Sequence, residues 1–209
     1  KVVLLENVPN IKLFDHGAWL KVILNEMRFA GYWVKENHAA ILSAAEVAGS
    51  PQTRERLFIA CCHKNHFKSN PFRFSAIKPQ KTPNVFEIID TISKQDGEYY
   101  LPEDSKYFSM INNVADKVHP KRLYQIRRVF ARACAEGICP TLTANMGDGG
   151  HNVPFVFDEF GLRRLTEEEC LKMQGFNPES FLWPSDLTKK AQLKMIGNAV
   201  NVDMVEKII

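Results

Sequence analysis

Two short runs, Val2-Val3-Leu4-Leu5 and Leu57-Phe58-Ile59-Ala60-Cys61-Cys62, are continuously apolar. A strand without polar alternation is buried on both faces, so a layer of helices must cover each side of its sheet. That points to an α/β architecture. Between the runs, Phe14 to Ala30 carries Trp19, Ile23, Met27 and Ala30 at helical spacing, and Gly31 supplies a C-terminal stop. Tyr32 to Leu42 is extended in character. Strands alternating with helices imply a mostly parallel sheet. The carboxylate of Glu6 lies just past the first run, a typical place for an α/β active-site residue.

With 209 residues, 45% of them hydrophobic, the chain can build one substantial core and a smaller lobe. A net charge of +3 permits an acidic partner without demanding one. No apolar run is long enough for a membrane span, and no signal-peptide pattern is present. Five cysteines without metal-type spacing fit a reducing cytoplasm, and Cys61-Cys62 reads as buried strand.

From about His63 to Asp158 prolines and glycines are frequent, apolar runs shorten and basic residues cluster. Asn84 with Glu87 forms a capping box for a helix over Val85 to Ile92. Pro120 opens a second helix reaching Ala135, with Leu123, Ile126, Val129 and Phe130 inward and Lys121, Arg122, Arg127, Arg128 and Arg132 on the rest. Past Gly161 the helical pattern returns. Thr166 and Glu169 form another capping box, Asp186 caps a helix to about Met195, and Val202, Val205 and Ile209 offer a buried face that packs back on the first lobe. The chain is expected to divide into 1–65, an α/β lobe; 66–160, a separate small domain; and 161–209, helices returning to the first.

Arg54 and Arg56 stand two residues apart at a strand entrance, so they project to the same side. Each guanidinium offers a donor fork to a carboxylate, phosphate or base carbonyl, and an ion-pair cluster with Glu55 is the simpler use. Glu6 suits a general acid or a hydrogen-bond partner, or else a loop carboxylate. Thr141 to Asn152 is the most loop-like stretch, with glycines for close approach and amides suited to base edges or phosphates.

Taken together and in order, these segments resemble the C-terminal two-thirds of bacterial DNA cytosine-5 methyltransferases. Glu6-Asn7-Val8 resembles the family's Glu-Asn-Val motif, and Gln52-x-Arg54-x-Arg56 its Gln-x-Arg-x-Arg motif. Arg163-Arg164-Leu165-Thr166-x-x-Glu169 with Gln174-Gly175-Phe176 resembles the motif closing the target recognition domain, and Gly197-Asn198-Ala199-Val200 the last motif. The resemblance implies an α/β fold: the C-terminal part of a Rossmann-like, S-adenosylmethionine-dependent methyltransferase domain, interrupted by a smaller mixed target recognition domain. It implies a cytosine flipped from duplex DNA into the pocket. Glu6 matches the residue that bonds ring N3 and the exocyclic amine, Arg56 the arginine reaching the base carbonyl, and Arg54 its supporting neighbour. Asn198 and Ala199 match positions beside the cofactor's methionine end. Thr141, Leu142, Asn145, Arg127, Arg128 and Arg164 are the implied DNA-binding set, and no metal is implied.

The chain also departs from the family. The nucleophile's Pro-Cys element and the Phe-x-Gly-x-Gly cofactor loop are not found, since the cysteines follow Ala60, Cys61, Ala133, Ile138 and Glu169. Asn177 stands where proline is usual after Gly-Phe. The chain, which does not start with Met, is expected to be part of a restriction-modification or phage-borne enzyme. It is expected to be inactive alone, its N-terminal half truncated, proteolysed or a second subunit, and to act in the bacterial cytoplasm at the nucleoid. A non-catalytic DNA-binding homologue is the alternative. The family's RNA-modifying branch fits less well, given the insert between Cys62 and Gly161.

Overall fold

The computed structural model describes residues 1–115, 121–127, 129–147 and 154–209. The two apolar runs form strands β1 (Val2–Asn7) and β4 (Glu55–His63). Between them lie helix α1 (Ala18–Phe29), strands β2 (Tyr32–Trp33) and β3 (Ala39–Ser43), and the one-turn helix α2 (Ala44–Val47). Strand β4 is central. β1 pairs with one edge, β2 and β3 share the other, and every pairing is antiparallel. This corrects the expectation of a mostly parallel sheet. The strand–helix–strand crossover does leave β1 and β3 running the same way, since each opposes β4. β4 then inserts between them in the reverse direction, which an alternation of element types cannot reveal.

Side chains along β4 alternate between two apolar layers. Leu57, Ile59 and Cys61 pack against Leu20 and Leu24 of α1. Phe58 and Ala60 face the other way, towards Met204 and Ile208 of helix α6 (Val202–Ile208). The continuous apolar run thus serves two cores at once, as its lack of polar alternation requires. Two helix boundaries and faces differ from expectation. Helix α1 starts at Ala18 because Asp15, His16 and Gly17 adopt φ of 50°, 51° and 84°, a left-handed turn that no right-handed helix can include. Its buried residues are Leu20 and Leu24; the expected Ile23 and Met27 pack half-buried against the same cluster, whereas Trp19 is 52% exposed and Ala30 is exposed. On α6 the buried residues are Met204 and Ile208, whereas Val202, Val205 and Ile209 line an open cavity of about 490 Å3.

The second sheet has the order β6-β5-β7-β8, all antiparallel, from β5 (Tyr124–Arg127), β6 (Phe130–Ala133), β7 (Pro154–Asp158) and β8 (Gly161–Arg164). Its core also takes in Ile111 of α3 (Lys106–Asn112), Leu171 and Met173 of α4 (Glu167–Met173), and Leu193 and Ile196 of α5 (Lys189–Asn198). The helix expected from Pro120 to Ala135 is instead the β5–β6 hairpin. Leu123 and Ile126 are buried, but Val129 and Phe130 are 85% and 54% exposed. Apolar residues three or four apart fit either period over so short a stretch. Aromatic and β-branched residues and the cross-strand pair Gln125–Arg132 favour strands here (Arg132 Nη2 to Gln125 Oε1, 2.8 Å). Pro120 and Arg128 lie outside the described residues. The Asn84–Glu87 capping box forms, but the helix behind it is a single 3-10 turn, Val85–Glu87. Thr188, not Asp186, caps α5.

One buried guanidinium organises this lobe. Arg163 Nε donates to Asp158 Oδ2 at 2.8 Å, and its Nη1 and Nη2 reach the two oxygens of Glu169 at 2.9 Å. The Nη atoms also bond the carbonyls of Arg164 (3.0 Å) and Asp90 (2.5 Å). Glu169 meanwhile closes the capping box with Thr166. The β7–β8 turn, the start of α4 and the Asp90 segment thus meet on Arg163. The neighbouring Arg164 donates from Nη2 to the Glu98 carbonyl at 3.0 Å, an exposed bond. Arg163→Met should therefore cost about 3–5 kcal/mol in urea unfolding, by leaving two carboxylates unpaired. Arg164→Met should stay within about 1 kcal/mol of wild type.

Candidate functional site

The end of β1 and the start of β4 meet in register, Glu6 opposite Phe58. Arg56 is two residues before Phe58 and so shares its sheet face. The pairing brings Arg56 Nε to 3.0 Å from Glu6 Oε1, with side chains 15% and 26% exposed. Arg56 Nη1 also donates to the Glu55 carbonyl at 2.7 Å. Burial lowers the Arg56 pKa, and the Glu6 charge and hydrogen bond oppose that shift. Beside the pair opens a cavity of about 380 Å3, bounded by Pro9, Ser43, Thr53, Glu55, Arg56 and Thr141. Glu6 is not itself among these lining residues and meets the cavity through Arg56; a carboxyl and a guanidinium side by side can hold a flat, polar-edged ligand by complementary hydrogen bonds.

Arg54 is buried, and among the described residues no carboxylate is in hydrogen-bond contact with it. Its Nη1 donates to the Leu142 carbonyl at 2.9 Å, and its Nη2 to the carbonyls of Ala199 (2.6 Å) and Gly197 (3.3 Å). Two of these lie at the C-terminal end of α5, where exposed carbonyls and the helix dipole favour a cation. Burial lowers the Arg54 pKa to about 10, helped by the Arg56 charge and opposed by Glu6. At neutral pH it remains a cation.

Gln52 continues the same seam. Its Oε1 accepts from Leu142 N at 3.1 Å and its Nε2 donates to the Met173 carbonyl at 3.2 Å. Ser50 Oγ and Asn201 Nδ2 donate to that carbonyl at 2.9 and 3.1 Å. Met173 ends α4, so its carbonyl has no partner within the helix. Main-chain bonds between residues 51–53 and Cys139 (2.7 and 3.0 Å), and the Thr141 hydroxyl on the Thr53 carbonyl, complete the join. Gly197 packs flat on the backbone of Thr143 and Ala144, leaving no room for a Cβ.

The structure therefore brings Glu6, Arg56, Arg54, Thr141, Leu142 and Ala199 into one region. Leu142 is buried and presents backbone to the seam. Asn198 ends α5 with an exposed side chain, and Asn145 is exposed in the turn Ala144–Gly147. Arg127 is exposed at the end of β5, and Arg164 lies on β8. Arg128 and residues 148–152 of the loop lie outside the described residues. Sequence reasoning passed over the structural weight of Gln52, Arg163 and Asn201. The available signal was a polar side chain within an otherwise apolar neighbourhood, which in a core must find partners. Among the described residues no cluster of His, Cys, Asp or Glu could hold a metal ion, and no helix is long and apolar enough to cross a membrane.

Comparison with known proteins adds four findings. The family model for C-5 cytosine-specific DNA methylase matches residues 1–209. Type II methyltransferase M.Bsp6I of Bacillus sp. (strain RFL6) is 36% identical over 210 residues, covering 100% of this chain and 64% of that protein. M.HpaII of Haemophilus parainfluenzae is 28% identical, covering 99% of the chain and 58% of its own length. Among solved structures, the Entamoeba histolytica methyltransferase EhMeth superposes with a TM-score of 0.68 at 19% identity, covering 99% of this chain and 60% of that one. That likeness speaks for the α/β, Rossmann-like methyltransferase fold. The chain spans less than two-thirds of the length of each of these relatives.

The close approach at Gly197 yields a stability test of the seam. Gly197→Ala should lower stability by about 1–3 kcal/mol in denaturant unfolding, because the methyl must displace backbone. Gly97→Ala, with open space around it, should not destabilise.

Proposed function

The chain belongs to the C-5 cytosine-specific DNA methylase family, and from that premise we propose that it forms the base-holding part of an enzyme methylating carbon 5 of a flipped cytosine in a specific duplex site. The Glu6–Arg56 pair beside its cavity carries the reading. A flipped cytosine offers O2, N3 and the exocyclic amine along one edge. Arg56 donates to O2. Glu6, on taking up a proton from solvent as the base enters, donates to N3 and accepts from the amine. A thiolate adding to C6 drives negative charge into that edge, where the guanidinium and the N3 proton stabilise it. Before the base enters, the two side chains satisfy each other; its arrival exchanges that ion pair for bonds to the ring. Arg54 acts as a positioning residue, anchoring the strand entrance two residues away.

The thiolate is assigned to a Pro-Cys element outside these 209 residues. All five cysteines here are buried. Burial pushes the Cys61 and Cys134 thiols up to about 11 and holds those of Cys62, Cys139 and Cys170 above the usual value. A catalytic cysteine needs the opposite environment. The outer edge of β1, unpaired among the described strands, and the open apolar side of α6 are where this reading docks the nucleophile-bearing part. Asn198 fits the methionine end of S-adenosylmethionine, because its exposed amide has no hydrogen-bond partner among the described residues while the neighbouring Ala199 carbonyl is committed to Arg54. That cofactor, when bound, supplies the methyl group.

Residues 66–160 are assigned to target recognition. Asn145 is the proposed base reader, Thr141 and Leu142 fix its turn against the seam, and Arg127, Arg128 and Arg164 contact phosphate. The buried thiols also favour a second reading, a non-catalytic DNA-binding homologue. Mixing the chain with a family N-terminal segment carrying Pro-Cys separates the two. Transfer of labelled methyl to duplex DNA is expected; specific DNA binding without any transfer would support the second reading. In the active assembly Glu6→Gln should lower turnover by roughly 10²–10⁴-fold while leaving DNA affinity intact. Near-wild-type turnover would remove Glu6 from the pocket. Asn145→Ala should narrow discrimination between sites by about 1–3 kcal/mol, whereas equal losses on all sequences would reduce it to a backbone contact.

A further inference from the structure

The far end of β4 carries a feature that base holding and methyl transfer leave unused. Beyond His63 the chain turns back towards the 3-10 turn Phe74–Ala76. With β2 and the end of α1, this return encloses a concavity of about 460 Å3. Among the described residues four cations line it, Arg28, Lys35, Lys64 and Arg73, and no carboxylate does. Among the described residues none of the four forms a salt bridge.

The frame around these charges is fixed. Arg28 Nε donates to the Val34 carbonyl at 3.0 Å and its Nη1 to Asn25 Oδ1 at 2.7 Å. Arg73 Nη1 donates to the Phe72 carbonyl at 3.0 Å. Behind them the buried Asn70 amide donates to the carbonyls of Trp33 (2.9 Å) and Ala60 (2.8 Å), tying the return segment to the sheet. The Lys64 ammonium stands 5.2 Å from the centroid of the Trp33 ring, whose Nε1 donates to the Phe67 carbonyl at 2.9 Å. Trp33 is 39% exposed and so presents an aromatic surface beside the cations. Burial first, then the charges of Arg73 and Lys35, hold His38 below its ordinary pKa, which places both cations close to one lining residue.

Like charges gathered on rigid supports repel one another unless an anion completes the set. The volume falls in the range of small-ligand sites, roughly 300–1,000 Å3. Position sets it apart from the base-holding pair. The pocket lies at the β2 edge of β4, on the opposite side from the free edge of β1, and roughly 20 Å along the strand from Arg56 at about 3.3 Å per residue. We propose that this pocket binds a phosphate-bearing small molecule with an aromatic ring, of the class of a nucleoside diphosphate, at a site separate from the base-holding one. The guanidinium and ammonium groups take the phosphates, and the Trp33 face takes the ring. The proposal stands independently of the function proposed above.

Isothermal titration calorimetry of the protein as expressed, with ADP, inorganic phosphate and a short duplex as probes, tests it. ADP should bind more tightly than inorganic phosphate, because only ADP uses the aromatic wall. The double variant Lys64→Ala/Arg73→Ala should weaken ADP binding at least about tenfold, equivalent to ~1.4 kcal/mol, and leave duplex binding unchanged. Lys64→Arg/Arg73→Lys should keep most of the affinity, and the remote pair Lys106→Ala/Lys172→Ala all of it, with thermal melts confirming that each variant is folded. Absence of ADP binding, equal ADP binding by the Ala/Ala variant, or loss of duplex rather than ADP binding would each overturn the proposal. The last result would make the patch a DNA-backbone contact.

Discussion

Arg54 is a buried cation whose direct partners are three backbone carbonyls, from two segments far apart in sequence. Removing a guanidinium from water is costly, and neutral carbonyls repay it only when several converge with good geometry. The arrangement therefore forms only if the start of β4, the Leu142 segment and the end of α5 arrive together. Gln52 imposes the same condition on Leu142 and on α4. Everything proposed for the chain depends on this seam, because among the described residues the two apolar clusters flanking β4 and the one around the second sheet are separate.

The seam also sets the geometry of the pocket. Arg56 follows Arg54 by two residues, so a fixed Arg54 backbone delivers the next guanidinium to the same face, where β1 presents Glu6. Thr141, next to the clamped Leu142, forms part of the cavity wall. The turn carrying Asn145 lies three residues on, in contact with α5 through Gly197. The Glu6–Arg56 pair, the Asn145 turn proposed as base reader and the end of α5 are thus linked through one short stretch of backbone.

Much of this was legible in the sequence, and the exceptions have physical causes. Buried strands β1 and β4 followed from unbroken apolar runs, and the capping boxes at Asn84 and Thr166 from local hydrogen-bond chemistry. The β5–β6 hairpin was hidden because four apolar residues in eight satisfy both periodicities. The antiparallel insertion of β4 was hidden because direction is a tertiary property. At the site, two arginines two apart announced a shared face, but not that one would be clamped by carbonyls while the other faced a carboxylate across the sheet. The buried member of the Arg163-Arg164 pair could not be chosen from sequence either, since both precede the same helix and only register decides which points inward. The basic concavity draws its cations from α1, the turn after β2 and the segment beyond β4, and so has no linear signature.

The central claim is that Glu6 and Arg56 act as one unit on a flipped cytosine. A double-mutant cycle on methyl-transfer kinetics, using Glu6→Gln, Arg56→Gln and the double variant in the active assembly, measures that most directly. Groups that hold one edge of one base lose most of their effect when either is removed. The double variant should therefore be only slightly slower than the worse single variant. Rate losses that multiply independently would contradict the account and separate the two residues into unrelated roles.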